Sequence, residues 1–363
     1  MAPGLGKLIP QMKELPRLNA AILCFDEGFT AGSEDCDCHF QDFPQTPQFR
    51  FQAMDELFSA LESLRHPIQD FGIRNLQADN PKDPKTLAKL GKVMSGLLSL
   101  RLSITSETNE AAPEHDLEYP EIRKFFKDLP TTWLSPAAPS LQHLSLCSRE
   151  YWGFYPHLDL SNLFFPHLKT LSLGNFCFFH DSQLDWIMKH GDTLEEIYFD
   201  DCAVLYDFCM MEENVEACAL PRDTLVRREG SDSLYGSFEK RWHNIFDLFA
   251  EKLPKLRHFR IGRSKWDSNV PFEQERDIKV GLYHNRYMCC YDGWGPSPYM
   301  EGEDPKDAAE DTWRPSPQCD DEDRAALRKL LAKLGQSVQE SHPGSWPGGR
   351  VVDLVQRRYG PVV

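Results

Sequence analysis

One short apolar phrase recurs along the chain, and its spacing constrains the fold more than any other feature. A large apolar residue, usually leucine, occupies the first, fourth and sixth positions of the phrase. The three clearest copies follow one another at intervals of 27 and 26 residues. The copies begin at Leu97, Leu141, Leu168, Leu194 and Leu256, with a weaker one at Ile73. Such a unit cannot bury its apolar side alone, so neighbouring copies must stack against one another.

A period of roughly 20–29 residues that carries this phrase is typical of leucine-rich repeats, in which each unit is one strand and a return segment. We therefore predict an α/β leucine-rich-repeat solenoid of about six to seven irregular repeats. Its parallel strands would line the concave face, and its return helices would lie outside. Ala20–Phe25 reads as one further degenerate strand.

The spacing also predicts the domain organisation. Residues 1–335 form the solenoid, and residues 336–363 form a C-terminal tail. Insertions are expected where the repeat interval lengthens or the composition turns polar, at about 106–135, 207–237 and 264–320. The acidic stretch at 301–323 is interpreted as an exposed loop.

Amphipathic segments between the copies predict the return helices. Apolar residues recur with a helical period in four segments, which cover about 51–64, 181–191, 238–253 and 321–334. Polar residues that suit a helix start precede two of them, and glycines follow two.

Composition narrows the function classes. The net charge of −16 argues against nucleic acid or an anionic membrane as the main partner, because neutralising phosphate requires Lys and Arg. The N-terminus lacks a secretory signal pattern, and no apolar run reaches the length of a spanning helix. Eleven cysteines, an odd count without a disulfide framework, are expected to be reduced. These features predict a cytoplasmic or nuclear protein.

The strand pattern predicts a binding surface. Side chains alternate along a strand, so the residues between the repeated leucines face the concave side. We expect an exposed partner-binding set on this side that comprises Arg101, His143, Ser145, Thr170, Ser172, Glu196, Tyr198, Asp200, His258 and Arg260. Tyr and Arg are frequent anchors at interfaces. The alternative is that these residues are solvated and contact nothing.

The sequence offers weaker candidates for metal binding or catalysis than for partner binding. Cys36-Asp37-Cys38-His39 carries zinc-type donors, but a structural zinc site needs a second pair at suitable spacing, and the adjacent Cys289 and Cys290 chelate one ion poorly. No nucleophile elbow, phosphate-binding loop or metalloprotease helix occurs. We therefore predict no catalytic residue, metal or cofactor. Asn175 and Cys202 are expected to bond turn backbone, and Phe176, Phe178 and Phe179 to lie in the core.

The order of several phrases resembles the repeat region of filamentous-fungal F-box proteins that carry leucine-rich repeats. The phrases lie at 166–176, 181–188, 193–202, 241–257, 291–299 and 322–330, so the resemblance covers about residues 130–335. It implies a substrate-recruiting subunit of a cullin-type ubiquitin ligase, in which an N-terminal F-box docks on an adaptor. Residues 1–50 show no F-box pattern.

Three functions remain open at this point. The first is non-catalytic protein binding through the concave face and the adjacent insertions. The second is recruitment of substrates to a cullin ligase, through an F-box that is divergent, lost or encoded upstream. The third is an enzyme of unknown type, which requires a pocket with convergent titratable groups.

Overall fold

A mostly parallel β-sheet organises the chain. The computed structural model describes residues 9–15, 17–25, 47–106, 120–227, 233–263, 278–283, 286–290 and 316–336. The strands in these ranges are β1 (Ala20–Cys24), β2 (Asp70–Gln77), β3 (Ser99–Thr105), β4 (His143–Trp152), β5 (Thr170–Phe178), β6 (Glu196–Asp200), β7 (Ala203–Met211), β8 (Leu225–Arg227), β9 (Ser233–Ser237), β10 (His258–Arg263), β11 (Lys279–Val280) and β12 (Tyr287–Cys290).

Helices occupy most of the connections. The α-helices of the described ranges are α1 (Pro47–Glu62), α2 (Pro84–Met94), α3 (Pro120–Leu129), α4 (Asp181–Met188), α5 (Glu212–Cys218), α6 (Trp242–Lys252) and α7 (Asp320–Lys333). Short 3-10 turns lie at Ile9–Glu14 and Arg222–Thr224, and a π-turn at Pro130–Leu134 extends α3. Within the described ranges, no helix is both long and apolar enough to cross a membrane.

Strand order follows chain order along most of the sheet. Strands β1 to β6 and then β10 lie side by side and parallel, and β11 pairs antiparallel with β10. Parallel neighbours require a crossover, and the helices supply several of these crossovers. Helix α1 packs on α2, and α6 packs on both α4 and α7. The predicted α/β class, with parallel strands and return helices, is confirmed at this level.

The repeated leucines set the strand register. Leu144 pairs with Leu171, which pairs with Ile197, and each of these three side chains is at most 1% exposed. Because apolar residues pair with apolar residues, they form one continuous apolar ridge against the helices. This ridge fixes the register, since a shift of one residue would turn every side chain of a strand to the other face of the sheet.

The predicted register of the weak copy at Ile73 is wrong. In the structure Phe71 pairs with Leu100 and Ile73 with Leu102, so the phrase begins at Ile68 and not at Ile73. Ile68, Phe71 and Ile73 are all buried. The pairing of β2 with β3 shifts register between Ile73 and Leu76, and Leu76 and Ala78 are buried beyond that shift. The segment therefore contains two overlapping apolar patterns, one that starts at Ile68 and one that starts at Ile73.

The four predicted helices are present as α1, α4, α6 and α7, each within a few residues of its expected bounds. Helices α2, α3 and α5 were missed. Helix α2 begins after Asp83, whose carboxylate accepts the Thr86 N–H at 3.3 Å, and α3 lies within the predicted insertion at 106–135. The described part of the predicted insertion at 207–237 contains the end of β7, α5, β8 and β9.

Strand β7 starts a branch of the sheet. It pairs in parallel with the end of β5 and with β12, and antiparallel with β9, which in turn pairs with β8. Phe176, Phe178 and Phe179 are each at most 4% exposed where the branch leaves the main sheet. The Phe178 ring lies 5.3 Å from that of Phe199 and 5.8 Å from that of Trp242. The prediction that these phenylalanines form core is confirmed.

Candidate functional site

The parallel register aligns the polar side chains of successive strands into rows on the side opposite the leucines. The first polar row crosses β2 to β6 and β10 and consists of Asp70, Ser99, His143, Thr170, Glu196 and His258. The second polar row, two residues further along each strand, consists of Gly72, Arg101, Ser145, Ser172, Tyr198 and Arg260. We call the two rows together the polar face. It contains nine of the ten predicted partner-binding residues, and the tenth, Asp200, lies two residues beyond Tyr198.

Hydrogen bonds join the centre of the polar face across three strands. The Thr170 hydroxyl donates to Glu196 Oε2 at 3.2 Å, and the Tyr198 hydroxyl donates to the same oxygen at 3.3 Å. Because Thr170 has one proton to give, its contact of 2.9 Å with His143 Nδ1 requires the imidazole to donate. The chain of donors therefore runs from His143 through Thr170 to the Glu196 carboxylate and fixes the tautomer of His143.

Each end of the polar face carries a guanidinium. Near the N-terminal end, Arg101 Nη1 lies 3.5 Å from Asp70 Oδ1. At the other end, Arg260 Nε donates to His258 Nε2 at 3.2 Å and Arg260 Nη1 donates to the Ile278 carbonyl at 3.3 Å. The His258 ring also packs 5.5 Å from the Tyr198 ring. The polar face therefore has one guanidinium on each side of its hydrogen-bonded centre.

A glutamine seals the sheet edge beside His258. Gln336 follows α7, and its Oε1 accepts the Phe259 N–H at 2.9 Å while its Nε2 donates to the Phe259 carbonyl at 3.3 Å. One side-chain amide thus replaces a neighbouring strand at that residue. This contact spans 77 residues, and sequence reasoning missed it.

The expected solvent exposure of the predicted set is wrong in part. Ser145, Thr170, Ser172, Tyr198 and Asp200 are buried, with exposed fractions between 1% and 6%. The other five residues are half-buried: Arg101, His143, Glu196, His258 and Arg260. Ser145 and Ser172 are paired with each other between Arg101 and Tyr198, and the Tyr198 ring packs against the His258 ring. Among the ten predicted residues, these five have the most accessible side chains.

The residues predicted to bond turn backbone do so. Asn175 has a positive φ of 55°, and its Nδ2 donates to the carbonyls of Ser148 at 2.8 Å and Arg149 at 3.1 Å. The Cys202 thiol donates to the Leu173 carbonyl at 3.2 Å. Asn75, which was not predicted, has a φ of 54° and donates to the Phe25 carbonyl at 2.9 Å. Asn75 and Asn175 both stand five residues after the first polar row, so they repeat one structural role.

A second polar cluster lies where α6 and α7 begin. The Asp323 carboxylate is fully buried, and its Oδ1 accepts the backbone N–H of His243 at 3.0 Å. Its Oδ2 accepts the Tyr287 hydroxyl at 2.8 Å and Arg286 Nε at 3.2 Å. His243 Nδ1 is 2.9 Å from Oδ1, and Cys319 Sγ is 3.6 Å from Oδ2. The sequence separates these groups by up to 80 residues, so no local motif signals them.

The motif at Cys36–His39 lies outside the described residues.

A small cavity of about 20 Å³ lies between β5, α4 and the segment that follows β4. Its lining includes Leu160, Phe178, Gln183 and Trp186. The volume suits about one water molecule and is too small for an organic substrate.

Comparison with known proteins assigns no role to the polar face or to the cluster around Asp323. No family model, no curated protein and no solved structure matches the chain.

Proposed function

We propose that the chain is an irregular leucine-rich-repeat solenoid of about six to seven repeats that binds a protein partner without catalysis. The observation that carries this proposal is the polar face, a set of aligned side chains across six parallel strands of the sheet. Stacked repeats of this kind commonly use such extended surfaces for binding.

The chemistry of the half-buried residues supports a protein partner. Arg101 and Arg260 can donate bidentate hydrogen bonds to carboxylates, and His143, Glu196 and His258 supply donors and acceptors between them. Internal hydrogen bonds already hold Glu196 and His143 in place, so little side-chain entropy is lost when a partner binds. A cytoplasmic or nuclear location is part of the proposal, as is the absence of nucleic acid and membrane among the partners.

The family resemblance adds an alternative, that the chain recruits substrates to a cullin ubiquitin ligase. The residues that carry the resemblance at 166–202 and 241–257 form β5, α4, β6 and α6. Strands β5 and β6 contribute Thr170, Ser172, Glu196 and Tyr198 to the polar face, which would then hold the substrate. Docking on the ligase adaptor would need an F-box, which residues 1–50 do not show as a sequence pattern.

Affinity purification of the full chain from its native cells, followed by mass spectrometry, tests both proposals. The matched variants are Arg101→Gln with Arg260→Gln on the polar face, and Arg257→Gln as the control. Arg257 lies one residue before β10 with a side chain that is 74% exposed, and it contacts Glu195. Specific proteins lost from the double variant and retained by the control would support binding through the polar face.

Retention of the same proteins by the double variant would contradict that surface. Cullin and its F-box-binding adaptor among the retained proteins would support the ligase alternative, whichever residues hold the substrate. The melting temperature of each variant must first match that of the wild type, because Arg101 and Arg260 also contact their neighbours. Only then can the loss of a co-purified protein be attributed to the polar face.

A further inference from the structure

The cluster at the start of α6 and α7 has the donor composition of a zinc site. The imidazole Nδ1 of His243, the Sγ of Cys319 and a carboxylate oxygen of Asp323 all lie within 4.8 Å of one another. Cys319 directly precedes α7 and Asp323 follows four residues later, so one helical turn presents both side chains together. Nitrogen, thiolate and carboxylate donors in one small set favour Zn²⁺ over the oxygen-preferring Ca²⁺ and Mg²⁺.

We propose that His243, Cys319 and Asp323 bind one zinc ion that joins α6 to α7. This inference is independent of the partner-binding proposal, because no member of the trio belongs to the polar face.

The three donor groups lie close enough to share one tetrahedral ion after a small adjustment. Zinc bonds of about 2.0–2.3 Å at tetrahedral angles place donor atoms roughly 3.3–3.6 Å apart. Cys319 Sγ lies 3.6 Å from Asp323 Oδ2, and His243 Nδ1 lies 2.9 Å from the other carboxylate oxygen, Oδ1. An ion held by both oxygens, or by one oxygen after a small side-chain adjustment, would therefore contact all three residues. His243 and Cys319 are partly exposed, which leaves an entry path and room for water as the fourth ligand.

Three neighbouring hydrogen-bond donors hold the Asp323 carboxylate in one orientation, as outer-shell groups do around the ligands of known metal sites. The His243 backbone N–H, the Tyr287 hydroxyl and Arg286 Nε all donate to Asp323 and hold its plane. Such outer-shell donors fix the ligand and are part of the site.

The local charge favours a cation in spite of Arg286. The guanidinium of Arg286 contacts two carboxylates, those of Asp320 and Asp323, so the cluster carries one excess negative charge when Cys319 is protonated and His243 is neutral. Binding Zn²⁺ requires the Cys319 thiol to lose its proton and the His243 proton to reside on Nε2. The bound cluster is then electrically neutral. Because protons are released, the affinity for zinc should fall as the pH is lowered.

The test is a zinc titration of the full chain after chelator treatment and desalting, with a chromophoric chelator as competitor. We expect one tightly bound zinc per chain and a melting temperature that rises with zinc. Cys319→Ser and His243→Gln should each weaken binding more than about 100-fold, since loss of an outer-shell partner alone costs 10–100-fold. Cys24→Ser, which removes an exposed thiol on β1, is the matched control and should bind as the wild type does.

X-ray absorption at the zinc edge separates this site from the Cys36–His39 motif. One sulfur ligand per zinc supports the proposal, whereas two sulfurs, or full zinc binding by Cys319→Ser, would place the ion at other cysteines, such as Cys36 and Cys38, and overturn it. Absence of stoichiometric zinc in the wild type would overturn it as well. Melting curves without zinc establish that each variant is folded, and His243→Gln keeps the test valid if Cys319→Ser does not fold.

Discussion

The imidazole Nε2 of His190 accepts a hydrogen bond from the backbone N–H of Phe165 over 3.1 Å. Its Nδ1 faces the Trp186 carbonyl at 2.9 Å and therefore donates. A neutral ring has one donor and one acceptor, so these two contacts use both nitrogens and leave no place for a second proton. His190 is 1% exposed, and burial lowers the pKa of its side chain to about 4.

Mild acid should therefore destabilise the fold through His190. An unfolded histidine has a pKa of about 6.5, above the folded value, so the stabilising contribution is complete above about pH 6.5 and is lost as the pH falls towards 4. Between about pH 7 and pH 5 we expect a loss of about 2 kcal/mol in the free energy of unfolding. Urea unfolding at both pH values measures it.

Two variants control for the other titrating groups. His167→Gln, at an exposed position two residues from Phe165, should keep the full pH dependence. His190→Gln should be less stable at neutral pH and should lose most of the acid sensitivity. An unchanged pH dependence in His190→Gln would show that other groups cause it.

The sequence was sufficient for the sheet where the repeated phrase is strong. Leu141, Leu168 and Leu194 placed β4, β5 and β6 in the correct register, because apolar identity at three positions leaves one way to bury all of them. The phrase failed at Ile73, where buried residues continue beyond β2's register shift and support two alignments. With the correct start at Ile68, Asn75 would have aligned with Asn175 and could have been predicted.

Contacts between distant segments were beyond sequence reasoning. Gln336 on Phe259 and Asp323 on His243 join residues about 80 positions apart, and each depends on how α7 docks, which no periodic pattern records. Exposure on the polar face was misjudged for a different reason. Alternation indicates which side of the sheet a residue faces but not how much of its side chain the surroundings cover, and Ser172 and Tyr198 are both buried on the polar face.

Leu171→Asp tests the inward direction of the repeated leucines. Leu171 is fully buried in the centre of β5, so the substitution places an unpaired carboxylate in the core, which costs several kcal/mol. We expect loss of the cooperative thermal transition, observed by circular dichroism. Lys169→Asp, at an exposed position just before the same strand, should melt close to the wild type. A folded Leu171→Asp protein with an unchanged melting temperature would refute the inward assignment.

Removal of two hydroxyls on β5 should have different effects on the free energy of unfolding. Thr170 bridges His143 and Glu196, so Thr170→Val should lower the free energy of unfolding by about 1–2 kcal/mol. Ser172 Oγ is buried without a hydrogen-bond partner among the described residues. Ser172→Ala should therefore leave stability unchanged or raise it by up to about 1 kcal/mol. Chemical denaturation of the pair decides this, and equal destabilisation by both would contradict the hydrogen-bonded centre of the polar face.

Asn175 combines two effects that a pair of substitutions can separate. Its positive φ of 55° disfavours residues with a Cβ by about 1 kcal/mol, and its amide serves the carbonyls of Ser148 and Arg149. Asn175→Ala should lose both contributions, about 2–3 kcal/mol in all, whereas Asn175→Gly should recover the backbone part and lose about 1 kcal/mol less. Equilibrium unfolding in urea measures both values. Because Asn75 has the same conformation and the same type of contact to Phe25, its two variants should show the same order. Equal stability of the alanine and glycine variants at both sites would mean that the left-handed backbone is not what selects asparagine there.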